Sequence, residues 1–279
     1  MSTMENPSSR VAVAHPTQRT VGRAVTVRRS VNSELVKLRT LRSQVWLLLV
    51  ATTFTLALGP VQSLGEVLAD SGGTIESSAG AVSLALTGAT TANLLIGVLG
   101  VMTVAGEYAP RAIRSTFMLV PRRGHVVAAK ALALGIVVAL TSALAVAVAV
   151  TTTMAVLQDT GVHADWASPQ VLRISMATVW YLVGWGILGQ AAGWLTRSKI
   201  GGATLLMTVM LVLTPILGLI PGRVGETLVA LTPSSVGGAM ISSAHSSTLG
   251  TPLVGFVLWS AYLLLITAAT AAVVGRRDA

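Results

Sequence analysis

An all-helical integral membrane protein with six spans is what this sequence predicts, and three observations carry the prediction. The chain of 279 residues is 53% hydrophobic and 10% charged, far more apolar than one soluble core of that length requires. Its ionisable residues fence off long uncharged runs: Arg42 to Glu66, Glu76 to Glu107, Lys130 to Asp159, Arg173 to Arg197, Lys199 to Arg223 and Glu226 to Arg276. Of the 19 lysines and arginines, all but Arg173 and Arg223 fall on one side once those runs are threaded through a bilayer, which is the positive-inside pattern. Both termini are therefore expected in the cytoplasm. The net charge of +9 follows from topology and anionic lipid rather than from a nucleic-acid surface, which would also need aromatic side chains for bases to stack on.

Residues 1–29 are polar and Arg-rich and hold no signal-peptide core, so they read as a disordered basic cytoplasmic tail. From residue 30 the pattern changes. Val31, Leu35, Leu38, Leu41 and Val45 recur at helical spacing and line one face, with Lys37, Arg39 and Arg42 off the stripe. That is an amphipathic helix lying in the membrane interface ahead of span one, or else the frayed start of span one itself.

A span needs about 20 apolar residues, because only a helix pairs every backbone group inside hydrocarbon. Six fit, near Val45 to Leu64, Ser83 to Ala105, Val126 to Val156, Val171 to Leu195, Gly201 to Ile220 and Pro252 to Gly275. The Ser-, Gly- and Thr-rich stretch from Thr227 to Gly250, with Pro233, is expected outside; a seventh crossing there would move Arg276 and Arg277 away from the other basic clusters. Residues 30–279 thus form one membrane domain. Ala139, Ala143 and Ala147, and Gly189 with Gly193, have the spacing of close helix contacts, and Thr214-Pro215 is placed to kink span five.

Little points to chemistry. The chain has no cysteine, and His15, His125, His163 and His245 form no ligand spacing; there is no GxSxG and no GxxxxGK[ST] phosphate loop. By itself the chain reads as no enzyme, binding neither metal nor cofactor. Among the spans Asn93 and Gln190 are the notable polar groups, either bonding helix to helix or lining a pathway. A route without charges suits an apolar or amphipathic cargo, with energy supplied from elsewhere.

The segment from Gly106 to Arg123 is the most informative. Pro110 suits a first helical turn, Glu107 stands at the positive end of the dipole, and Pro121 ends the helix. Ile113 and Phe117 share one face while Arg111 and Arg114 stand on another. Two readings follow: a compact knob that docks in a partner's groove, or an interfacial loop whose arginines meet lipid.

With Glu34, Lys37 and Arg39 on a helix leading into span one, Glu107 leaving span two, the Ile113 to Thr116 helix, Pro121, Arg122 and Lys130 entering span three, and Pro233 before span six, the chain resembles the ABC-2 family of ABC transporter membrane subunits. The resemblance covers about residues 30–279; the long basic tail lies outside the family's common pattern. It implies that Glu107, Arg111, Ile113, Arg114 and Phe117 couple to a separate ABC ATPase subunit present in two copies, which binds the ATP and magnesium. It also implies a second membrane subunit, as a homo- or heterodimer, and an exporter in the bacterial cytoplasmic membrane.

Overall fold

A computed structural model describes residues 27–68, 78–108, 123–158, 166–242 and 250–277. Every regular element among them is helical. In chain order these are α1 (Val27–Thr40), α2 (Arg42–Leu68), α3 (Ser78–Ala85), α4 (Thr87–Ala105), α5 (Arg123–Leu157), α6 (Pro169–Thr196), α7 (Lys199–Met207), α8 (Leu213–Gly218), α9 (Arg223–Ala230), α10 (Pro233–Ile241) and α11 (Pro252–Arg277). A 3₁₀ turn, Gly106–Tyr108, closes α4, and a π-helical turn, Thr208–Val212, joins α7 to α8.

Six stretches are long and apolar enough to cross a bilayer: Arg42–Leu68, Gly80–Ala105, Val126–Leu157, Pro169–Thr196, Lys199–Gly218 and Pro252–Arg276. Each end lies within four residues of the place the charges predict. The fence-post reading works because a charge at membrane depth is costly and is pushed to the rim. Six crossings put α1, the turn after α6 and the end of α11 at one face of the bundle, and the starts of α6 and α11 at the other.

Span four, α6, is the most buried and stands at the centre; span five is the most exposed. The tightest pair is α4 with α6, and its closeness comes from glycine. A Cβ on Gly100 would overlap the Gly186 carbonyl, and one on Gly189 the Gly97 carbonyl, so the two backbones touch. Small residues at such crossings let dispersion and backbone contact replace the hydrophobic drive that lipid removes. Around this seam pack Ile96, Leu99, Leu134, Leu182, Trp185 and Trp259.

The alanine spacing in span three has another outcome. Ala143 and Ala147 are exposed, whereas the buried face of α5 runs through Ala133, Leu134, Val138, Ser142, Ala145 and Val146. That face, small and large side chains together, packs against α2 and α6. Gly189 does lie at a crossing, its partner being Gly97 on span two.

Just ahead of Thr214-Pro215, where the sequence predicts a kink, span five carries a π turn. Proline has no N–H and displaces the carbonyl four residues back, and one wider turn absorbs the misfit. The Leu213 N–H accordingly bonds the Thr208 carbonyl, five residues back.

The stretch after span five holds no helix long enough to be a seventh crossing among the described residues. It holds α9 and α10, of eight and nine residues, each about 12–14 Å long at 1.5 Å per residue and too short to cross. Thr232 caps α10 by accepting from the Ser235 N–H at 3.3 Å, with Pro233 at the first helical position. Part of its glycine content has a packing reason: Gly237 lies against the Tyr181 ring, with Val236 and Met240 buried beside it.

Candidate functional site

The residues that could carry function gather at the α1 face. On α1, Glu34 and Lys37 stand one turn apart and pair at 2.7 Å. The other oxygen of Glu34 accepts from Lys130 of α5 at 2.6 Å. Lys130 is 2% exposed, an expensive place for an ammonium unless a counter-charge and hydrogen bonds surround it. Both are supplied: besides Glu34, the Lys130 Nζ donates to the Thr103 carbonyl of α4 at 3.3 Å.

The network continues into α6. Gln190 donates to the Thr103 hydroxyl and to the Lys130 carbonyl, both at 3.1 Å. The Thr103 hydroxyl donates in turn to the Gly100 carbonyl at 2.7 Å. Four helices, α1, α4, α5 and α6, are thus tied through one polar node at the end of the glycine seam. A node of this kind is stable only when all its members are paired, and losing one leaves the rest unsatisfied in a low-dielectric setting.

Beside the node stands an aromatic clasp. Tyr108, where the chain leaves α4, meets Trp194 of α6 edge to face, with ring centres 6.0 Å apart. The Arg197 guanidinium lies 5.5 Å from the centre of the Tyr108 ring, within cation–π range. Arg197 ends α6 with φ at 52°, and its N–H bonds the Gly193 carbonyl at 3.0 Å. That backbone region favours glycine; here a long cationic side chain occupies it and stacks on the tyrosine. Val104, Val127 and Val274 close the clasp from below, bringing the ends of spans two, three and six to the same point.

Of the sequence-predicted residues, Glu34, Lys37 and Gln190 meet in the node. Glu107 belongs to the 3₁₀ turn before Tyr108, and Arg39 to α1, their side chains lying outside the described residues. Arg111, Ile113, Arg114 and Phe117 also lie outside them. Asn93 sits deeper, donating to the Tyr181 hydroxyl at 2.7 Å in a cluster with Trp185 and Trp259. In this chain, then, both Asn93 and Gln190 spend their donors between helices.

Sequence reasoning missed the burial of Lys130, which it counted as a loop charge. The signal was present: span three, placed from Val126, already contained Lys130. It also passed over Thr103, Tyr108, Trp194 and Arg197, which stand too far apart in the chain for any spacing rule to join them. Compared with known families and with curated proteins, the sequence matches no family model and no curated relative, so its site stands on its own geometry.

Proposed function

We propose that the chain is the membrane permease subunit of an ATP-driven ABC transporter of the ABC-2 kind, exporting a hydrophobic or amphipathic compound with ATP hydrolysed on a separate subunit. The observation that carries this reading is how the ends of the Gly106 to Arg123 segment are held. On one side Tyr108 is clasped by Trp194 and Arg197; on the other, Lys130 is fixed to Glu34 and Thr103. A loop with both roots fixed passes a push on its tip to spans two and three instead of absorbing it. Glu107, Arg111, Ile113, Arg114 and Phe117 would form that tip, and the missing phosphate loop is in keeping with hydrolysis on a partner. In this reading both termini face the cytoplasm of a bacterial cell, and two such subunits work with two ATPases.

Co-purification with an ABC ATPase encoded beside this gene tests the proposal. Ile113→Asp puts a charge on the docking face and should reduce ATPase association, since an unpaired charge at an interface is costly. Glu107→Gln should leave association intact and slow ATP-dependent cargo movement. Normal association and transport in Ile113→Asp would make the segment a lipid-facing loop, and a stable native complex lacking any ATPase would favour a membrane scaffold instead.

A further inference from the structure

We propose that a groove between α6, α10 and α11, at the face opposite α1, binds one anionic phospholipid, its acyl chain along the groove and its phosphate against Arg173. This inference does not depend on the transport reading. The groove has a volume of about 480 Å³, inside the range of roughly 300–1,000 Å³ usual for small-molecule sites. Its walls are Leu172 and Met176 of α6 and Leu253 and Phe256 of α11, with Met240 of α10 as floor. The four wall residues are 44–70% exposed, so none of the described residues covers them. Methionine on wall and floor can follow the shape of a flexible hydrocarbon.

Arg173 decides what kind of hydrocarbon. It stands one turn into span four and donates to the carbonyls of Met240 at 3.3 Å and Ser242 at 3.1 Å, at the C-terminal end of α10. Those two bonds leave other N–H groups of its five, and the partial charge of a helix end balances only part of a full positive charge. No carboxylate of the described residues lies within ion-pair distance of it. A cation beside an apolar trough, where α6 and α11 begin with Pro169 and Pro252, is complementary to the two halves of one molecule. The phosphate of an anionic lipid meets the guanidinium while its chain fills the trough. A zwitterionic lipid would fill the trough equally but bring a second cation near Arg173, and a free anion would leave the trough empty.

The full-length protein, purified in detergent and exposed to phosphatidylglycerol or phosphatidylcholine with identical chains, should retain the former about tenfold more strongly by native mass spectrometry, the scale of one charge-assisted contact. Arg173→Gln should bring the two lipids to within about twofold, and Arg173→Lys should keep most of the preference, on the same reasoning. Because Arg173→Gln also frees the end of α10, Met176→Trp supplies an independent arm. Met176 is 65% exposed, so the change fills the trough without disturbing the core, and retention of both lipids should fall severalfold at unchanged helicity. Equal retention of the two lipids by the wild type, a preference that survives Arg173→Gln, unchanged retention in Met176→Trp, or displacement of phosphatidylglycerol by millimolar inorganic phosphate would each overturn the assignment.

Discussion

At the α1 face a fully buried ammonium is held by a carboxylate; at the opposite face a half-buried guanidinium is held by two backbone carbonyls. The difference follows depth. Lys130, sealed from solvent, needs a whole opposing charge, and the chain brings one from outside the spans on α1. Arg173 keeps part of its surface open, so two carbonyls at a helix end hold it while the rest of its charge is left to face the groove. The first arrangement welds a peripheral helix to the bundle; the second only pins the end of a short one.

Substitutions at three places press on this contrast. The largest effect should come from Glu34→Ala, which takes from buried Lys130 the carboxylate it pairs with: about 3–5 kcal/mol of destabilisation, the usual cost of removing one member of a buried pair. Adding Lys130→Met should recover most of the loss, because the buried ammonium that Glu34 balanced is then gone and Lys37, the other partner of Glu34, stands in solvent. Equal thermal unfolding of the single and double variants in detergent would mean that packing, rather than the ion pair, holds α1. Arg173→Gln should cost about 1–3 kcal/mol as two charge-assisted bonds weaken, with faster amide hydrogen exchange confined to α10. Loss of protection throughout the bundle would place both faces in one cooperative unit and erase the distinction. Smallest is Tyr108→Leu, at about 0.5–1.5 kcal/mol for an edge-to-face ring pair. Its coupling with Arg197→Gln in a double-mutant cycle would measure how much of the clasp is cation–π rather than packing.

What could be read from the sequence sorts by the range of the signal. The span ends were legible because each is set locally, by where charge stops and apolar run begins. Glu34 and Lys37 were singled out on α1, but their partner Lys130 lies 96 residues away from Glu34, and nothing in a single sequence records a pair that distant. The same holds for Gly189, whose spacing announces a close approach without naming Gly97 as the backbone approached. Composition kept the Thr227 to Gly250 stretch from being a seventh span but did not announce its two short helices, since glycine and serine serve a turn in water and a tight helix contact equally well. It is the Tyr181 and Trp259 rings, more than twenty residues away on neighbouring elements, that select the second meaning.

The π turn ahead of Pro215 gives span five a tolerance that the central helix lacks. Such a turn is an α-helix carrying one surplus residue, so deleting one position within Thr208–Val212, together with Pro215→Ala to remove the need for a wide turn, should let the backbone relax to ordinary pitch while Gly202 and Leu206, the buried contacts on the preceding turns, keep their register. The same deletion inside α6 would swing every residue beyond it by about 100° around the axis, turning Gly189 and Gln190 away from the partners that define the bundle. Length changes during divergence should therefore accumulate at this one turn, next to lipid, and be rejected at the seam.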